Sequence, residues 1–441
     1  MFSETAQNSG DYFMKYAIFT FGCKVNQYES AVVEKAMKER GFERSEDIFA
    51  ADAVVINSCC VTENSDKKAR QLLAKIKRDN PACVTVLAGC YPQAFAERAK
   101  ELGADILIGT ENKGRIAELI CEHLTCGERY ALIPERPVGV PYERMDAADM
   151  GKTRAYIKIE DGCDRFCSYC IIPYARGSVR SRPIEEIIAE ARFQASCGHK
   201  EIILVGINMS CYGKDIGLRL ADAVHAACSV DGVERVRLSS LEPELLTQED
   251  IARFAAEEKL CPHFHLSLQS GGRETLKRMN RRYTPEEYMG IVNMIRTAFP
   301  DAAITTDIMV GFAGETEEEF AESCEFVKSV GFAGGHVFTY SVREGTAAAR
   351  RTDFVPKAVA AERYKIMSGI VAQLKADYFA AQVGQVREVL VQRRESEEYA
   401  NGLTPQYVPV RIYGSGAKKH DIVKVRITSA CGGDFCIGTE I

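Results

Sequence analysis

The run AYIKIEDGCDRFCSYC, residues 155–170, begins as a short β-rich strand and gives way to a cysteine-bearing loop. The strand half of that pattern then recurs. KEIILVG (200–206), VERVRLSS (233–240), HFHLSL (263–268), AITTDIMVG (303–311) and GHVFTY (335–340) follow, each leading into a helical stretch or a loop that precedes one. Such alternation signifies parallel strands joined by crossover helices. Six units predict an α/β domain built as a partial (β/α)6 barrel, TIM-like but left open for want of a seventh strand. Its chemistry is expected at the carboxyl ends of the strands.

Working outward, the chain has a polar start at residues 1–13. YAIFTF (16–21), AVVIN (53–57), VTVLAG (84–89) and ADILIGT (104–110) then alternate with helical segments that finish on Gly or Pro. This predicts an N-terminal open parallel α/β domain over 14–132. Residues 133–150 hold three prolines and little periodicity, which reads as a linker. The partial barrel is expected over 149–376, and the helical stretch 357–384 reads as a connector. REVLVQRR (387–394), YVPVRIY (407–413) and DIVKVRIT (421–428) alternate apolar and polar residues around Gly-rich turns, so a small β-barrel is expected over 377–441.

Composition narrows the function classes. A chain of 441 residues is long enough for three domains, each with its own core. Apolar residues at 46% and charged residues at 27%, with no apolar run of 18 and no leader-like pattern, predict a soluble cytoplasmic protein with no membrane partner. The 56 basic and 62 acidic side chains leave −6, so any polyanion site must be local. Seventeen cysteines, an odd number, fit reduced thiols better than a disulfide framework, which directs attention to metal binding or catalysis. Cys83, Cys197, Cys228, Cys261 and Cys324 lie in apolar or helical surroundings and are expected to be small buried hydrophobes.

Cys163, Cys167 and Cys170 are spaced C-x3-C-x2-C. Three thiolates on one loop can hold three irons of a [4Fe–4S] cube and leave the fourth iron open. Structural zinc would want a fourth ligand, and none follows within a dozen residues. The spacing, with the aromatic Tyr169 before the last cysteine, resembles that of the radical S-adenosylmethionine (SAM) enzymes. The resemblance implies that the open iron chelates the methionine end of SAM, and that an electron from the cluster cleaves SAM to a 5′-deoxyadenosyl radical. Cys23, Cys59 and Cys90 each stand at the carboxyl end of a different predicted strand, where an open sheet gathers its ligands. They predict a second cluster site, the alternative being three unrelated buried thiols. Cys60 adjoins Cys59, and geometry read from sequence does not separate them.

FGCKVNQYES (21–30), INSCCVT (56–62), VLAGCYPQ (86–93), DGCDRFCSYCIIPYARGSVRSRP (161–183), SLQSGG (267–272) and TDIMVGFAGETEEEF (306–320), in this order, resemble the methylthiotransferase family of radical SAM enzymes. The resemblance covers nearly the whole chain. It maps the family's Asn-Thr-Cys onto Asn57, Ser58 and Cys59, which favours Cys59 over Cys60. It makes the last domain similar to the TRAM module, an OB-like RNA-binding barrel. It implies two [4Fe–4S] clusters and two molecules of SAM: one SAM methylates sulfur at the auxiliary cluster, and the other is split at the Cys163, Cys167, Cys170 cluster. It also implies an electron donor of the flavodoxin or ferredoxin type.

Gly206 and Asn208, Ser240 and Glu242, Ser267 and Gln269, and Asp307 and Val310 lie at the ends of successive barrel strands, on the face expected with Tyr169 to hold SAM. Arg176, Arg180 and Arg182 occur with no acid among them and are expected to grip tRNA phosphates, with Lys277, Arg278, Arg281 and Arg282 as a second basic cluster. The last domain carries eight basic and eight acidic residues, so an RNA-binding role there follows from the TRAM resemblance alone. Members of the family act on isopentenyladenosine or N6-threonylcarbamoyladenosine in tRNA, or on a ribosomal-protein aspartate. YARGSVRSRP and the pairing of NSCCVT with KKARQ are most similar to the threonylcarbamoyl group, which implies C2 of that nucleoside at position 37, next to the anticodon. The rival class is a non-catalytic iron–sulfur RNA-binding protein, which would not cleave SAM to 5′-deoxyadenosine.

Overall fold

The runs AVVINS and VTVLAG are apolar at nearly every position, as strands covered on both faces must be. In the computed structural model, which describes residues 14–136, 138–146 and 149–441, both are buried throughout. The polar start at 1–13 lies outside the described residues. The chain divides into two units: residues up to 138 with 143–148 and 174–176, and the remainder.

The first unit is one parallel sheet of β1 (Lys15–Thr20), β2 (Glu43–Arg44), β3 (Ala53–Ser58), β4 (Val84–Gly89), β5 (Ile106–Ile108) and β6 (Tyr130–Leu132), in the order β2-β1-β3-β4-β5-β6. Alternate residues feed two cores. Val55, Val86 and Ile106 pack under Val33 and Ile120 on one face, and Val54, Ile56 and Leu87 pack under Leu73 and Ile76 on the other. Thr62 caps the helix Glu63–Asp79 by accepting from the Ser65 N–H. The four expected strands are all present, flanked by two short edge strands.

The second unit contains β7 (Arg154–Lys158), β8 (Glu160–Asp161), β9 (Arg180–Ser181), β10 (Glu201–Val205), β11 (Arg235–Leu238), β12 (Ser240–Leu241), β13 (His263–Leu266), β14 (Ala303–Val310) and β15 (Gly334–Thr339). The six expected barrel strands are present, but the third is broken at Ser239. β11 therefore closes a three-stranded parallel sheet, β11-β10-β7, and β12 opens a four-stranded one, β12-β13-β14-β15. A single apolar core, including Ile202, Leu204, Val236, Phe264, Leu266 and Ile308, runs beneath both sheets. The acidic stretch at 315–320 is a helix start, where Thr316 and Glu319 form a reciprocal cap.

The helix Lys357–Ala380 leads to a closed five-stranded barrel of β16 (Val386–Arg394), β17 (Tyr399–Leu403), β18 (Pro409–Tyr413), β19 (Ile422–Cys431) and β20 (Phe435–Glu440). Sequence alternation marks three of these. β17 and β20 carry Gly402 and Gly438, which read as turn residues. A Cβ at either would lie 2.4 Å from a valine methyl, Val389 or Val425, so close strand approach requires glycine there.

Candidate active site

In the first unit β1, β3 and β4 are neighbours, and a thiol follows each. Cys23 stands at the N-terminal boundary of the helix Lys24–Glu39, Cys59 directly follows β3, and Cys90 begins the helix Cys90–Ala94. The three thiols therefore follow neighbouring strands of one sheet. Gly22, with φ of +121°, brings the chain so close that a Cβ would sit 2.8 Å from the Cys59 Cβ. Cys59 lies within electrostatic reach of both Cys23 and Cys90, whereas Cys60 hydrogen-bonds Cys90 and lies within reach of Cys59 and Asp66. The Val61 N–H donates to Cys59 Sγ at 3.4 Å, and the Cys23 thiol lies 3.5 Å from Asn26 Oδ1.

Arg176 corrects an expectation. Its side chain is fully buried within this unit, with Nε 3.3 Å from Cys90 Sγ, Nη1 2.8 Å from Glu29 and Nη2 3.2 Å from Asn26 Oδ1. Lys113, also buried, reaches the same Glu29 at 2.9 Å. Two cations on one carboxylate leave a net positive charge beside the thiols. With the Cys60 hydrogen bond as the larger cause, and against the effect of burial, Arg176 helps bring Cys90 down to about 6.

Arg180 and Arg182 are likewise unavailable to phosphates. Arg180 is 3% exposed, 3.6 Å from Asp161, and Arg182 is fully buried against Glu190 and Glu186. Of the second basic cluster, Lys277 pairs with Glu274, Arg278 with Glu319 and Arg281 with Glu242, which leaves Arg282 exposed.

The loop after β7 and β8 carries Cys163, Cys167 and Cys170, all half-buried. It is fixed by many bonds. The Cys163 N–H donates to the Gly177 carbonyl, the Ser168 N–H to that of Met279, and Asn280 Nδ2 to that of Phe166, which adopts φ of +50°. Each thiol meets a donor or a backbone amide. Asn208 Nδ2 lies 3.6 Å from Cys163 Sγ, Arg281 Nη1 lies 3.5 Å from Cys167 Sγ, and the Ile172 N–H faces Cys170. Burial pushes the Cys163 thiol up to about 11 and that of Cys170 up as well. Thiolates at these positions therefore need a positive partner. Among the described residues no three His, Cys, Asp or Glu side chains converge as a single metal ion requires. A cube is held differently, each thiolate taking its own iron, and both triads with their N–H···S donors fit that group.

The other expected SAM-face residues divide. Glu242 is half-buried on Arg281, whose Nη2 also donates to the Ser267 carbonyl at 3.0 Å. Burial lifts the Glu242 carboxyl above the usual range. Gln269 takes φ of +64° and pairs with β14, its N–H donating to the Asp307 carbonyl. Asp307 Oδ2 lies 3.2 Å from His265 Nε2. Tyr169 packs edge-on to Phe312, and Ser240 is exposed. Gly206 packs against Glu160, where a Cβ would lie 2.8 Å from its carboxylate. Val310 is a correction: it lies in the core, and its carbonyl accepts from the Tyr340 N–H. Arg281, Glu160 and His265 were not singled out for this face by sequence reading. Their only signal was position next to motifs. Cys83, Cys228, Cys261 and Cys324 are buried as expected, but Cys197 is exposed at the end of the helix Ile184–Ser196.

Comparison with known proteins places this geometry. Residues 157–327 match the Radical SAM superfamily, and residues 15–109 match the Uncharacterized protein family UPF0004. The chain is 38% identical over 424 residues to the threonylcarbamoyladenosine tRNA methylthiotransferase MtaB of Bacillus subtilis (strain 168), covering 94% of each. It belongs to the tRNA methylthiotransferase family of radical SAM enzymes. The MtaB of Thermotoga maritima is 36% identical, with 95% of this chain and 96% of that one covered. The tRNA-2-methylthio-N(6)-dimethylallyladenosine synthase of Pelotomaculum thermopropionicum is 35% identical, with 86% of each covered. Among solved structures, the radical S-adenosylmethionine methyltransferase TsrM from Kitasatospora setae shares the fold at a TM-score of 0.58 and 15% identity, over 76% of this chain and 77% of that one. This methylthiotransferase is thus a transferase that uses SAM and iron–sulfur chemistry on tRNA. Among the described residues no helix is long and apolar enough to cross a membrane.

Proposed function

We propose that the enzyme methylthiolates C2 of N6-threonylcarbamoyladenosine at position 37 of tRNA, using two molecules of SAM and two [4Fe–4S] clusters. The observation that carries the reading is the pair of thiol triads, one gathered from the ends of three neighbouring parallel strands and one on the single loop after β7 and β8, each served by an arginine, Arg176 at Cys90 and Arg281 at Cys167. When bound, the cluster on Cys163, Cys167 and Cys170 supplies the electron that splits SAM, and that on Cys23, Cys59 and Cys90 holds the sulfur to be transferred. The chain's own groups do the positioning. Asn208 and Arg281 fix the first set of thiolates, Glu242 holds Arg281, and Arg176 with Lys113 offsets the negative charge of the second set. A flavodoxin- or ferredoxin-type protein delivers the electron, residues 377–441 hold tRNA, and the enzyme works in the cytoplasm. The three-domain division 14–132, 149–376 and 377–441 belongs to this reading.

The names of the relatives favour threonylcarbamoyladenosine, and the dimethylallyl synthase at 35% identity keeps isopentenyladenosine as the second reading. Nucleoside mass analysis of tRNA from a deletion strain tests both. Loss of the methylthio form of threonylcarbamoyladenosine is the expected result. Loss of the methylthio isopentenyl form alone would overturn it.

A further inference from the structure

The sheet β13-β14-β15 packs one face into the core; its other face is polar at His265, Asp307 and His336 and turns apolar at Met309 and Phe338, the next alternate pair toward the strand ends. Phe264, Leu266, Ile304 and Ile308 lie in the buried core, and Val337 packs against it. His265, Asp307 and His336 occupy the alternate positions, with Asp307 directly opposite His336 across the strand pair, so they share the other face. His265 is held on both nitrogens, Nε2 3.2 Å from Asp307 Oδ2 and Nδ1 3.1 Å from Thr305 Oγ1. The His336 ring centre is 6.5 Å from that of His265. His336 is exposed, and no hydrogen bond among the described residues engages its ring. Further along the same face Met309 joins Tyr169, Phe312 and Tyr340, which carries the face up to the cysteine loop. Holding thiolates requires none of these imidazoles.

We propose that His336, backed by His265, reads the carboxylate at the end of the substrate's N6 side chain and so selects threonylcarbamoyladenosine over an adenosine with an apolar N6 group. The assignment rests on the function proposed above and adds the residue that discriminates. C2 and C6 of adenine flank N1, so a base that presents C2 toward the cysteine loop sends its N6 arm away from it. His336 precedes Tyr340 by four residues, ~13 Å of strand at about 3.3 Å per residue, a span that an adenine with an extended arm can cover. Imidazole N–H groups satisfy a carboxylate and are stranded against a dimethylallyl group, and a site built to hydrogen-bond rejects the analogue that lacks the partner.

The test is binding of anticodon stem-loop RNA to the full chain, without turnover, using three forms at position 37: threonylcarbamoyladenosine, its methyl ester, and isopentenyladenosine. The ester keeps the shape and removes the charge. The wild-type chain is expected to bind the acid about tenfold or more tighter than the ester, the scale of a hydrogen bond to a charged group. H336L should bind acid and ester alike, while H336Q, which keeps an N–H donor, should retain part of the preference; thermal melting confirms that both variants are folded. A full acid preference in H336L overturns the assignment, as does its complete loss in H336Q. Turnover by the wild-type chain separates the two levels. Methylthiolation of the isopentenyl RNA alone would overturn the proposed function and this assignment together. Methylthiolation of the threonylcarbamoyl RNA with no role for His336 in the binding series would overturn only the assignment.

Discussion

The guanidinium of Arg176 touches a thiol, a carboxylate and an amide oxygen, all buried, so its removal takes one of two cations from Glu29 and leaves Cys90 with only the more distant charge of Lys113 from that pair. R176M should therefore lose the auxiliary cluster. Iron in anaerobically reconstituted protein should fall from about eight to about four per chain, the content of one cube. R176K, which keeps the charge, should retain more. The neighbouring thiols give a second outcome of the same kind: C59A should lose that iron and C60A should keep it, because Cys59 is the one within electrostatic reach of both Cys23 and Cys90. The cysteine loop was visible in the sequence because its three thiols are adjacent there and carry their own spacing. Arg176 was misread as a phosphate contact because its carboxylate partner lies 147 residues away, and a charge run cannot announce a distant acid. Arg182 was misread although its acids, Glu186 and Glu190, lie four and eight residues on along the next helix, and Arg180 because Asp161 belongs to the neighbouring strand β8.

At the level of elements, the segment between β17 and β18 meets the start of the barrel strands through a buried ion cluster. Arg237 bonds Glu201 at 2.7 Å and donates to the carbonyls of Thr404 and Pro405, Arg235 donates to that of Leu403, and Tyr407 stacks on His263 at 4.7 Å. Burial would push the Glu201 carboxyl up, but Arg237, with Arg154 and Arg235, outweighs it and holds it below the usual range. A carboxyl lowered on folding contributes stability fully above its unfolded value, about 4.3, and loses that contribution as pH falls through its folded value. Docking of the small barrel should therefore persist in mild acid and weaken below ~pH 4. E201Q, which takes the shared carboxylate away from the buried Arg237 and Arg235 and the half-buried Arg154, should cost about 3–5 kcal/mol at neutral pH and show a shallower acid slope in denaturant unfolding. Strand existence was legible from the β-rich runs, which is why all ten barrel and sheet runs in 16–340 correspond to strands. The break at Ser239 and the glycine-bearing β17 and β20 were not, since each is set by what packs across from it.

For the whole molecule, that ion cluster bears on how RNA holding can be separated from chemistry. Truncation near Phe379 would remove the whole small barrel and uncover Arg235, Arg237 and His263, so a loss of activity would report folding as much as affinity. The outer face of the small barrel offers a cleaner probe. On β17 and β18 the core side is taken by Ala400 and Ile412, which turns Tyr399, Arg411 and Tyr413 outward. The Arg411 guanidinium sits 4.5 Å from the Tyr399 ring and 4.4 Å from that of Phe435, and the two tyrosines are 5.6 Å apart. An array of half-buried rings around a cation is the kind of surface on which bases stack, and it needs no net positive charge, which this segment lacks. Replacing Tyr399 and Tyr413 by Ala should weaken tRNA binding by about 1–3 kcal/mol for each base that stacks there, with a shallow salt dependence because few phosphates are neutralised. Cleavage of SAM to 5′-deoxyadenosine without RNA should stay at the wild-type rate, since radical generation involves only the Cys163, Cys167, Cys170 loop and its neighbours. Unchanged tRNA affinity in the double variant, measured by filter binding across a salt series, would remove this face from recognition and leave exposed cations such as Arg282 to account for it.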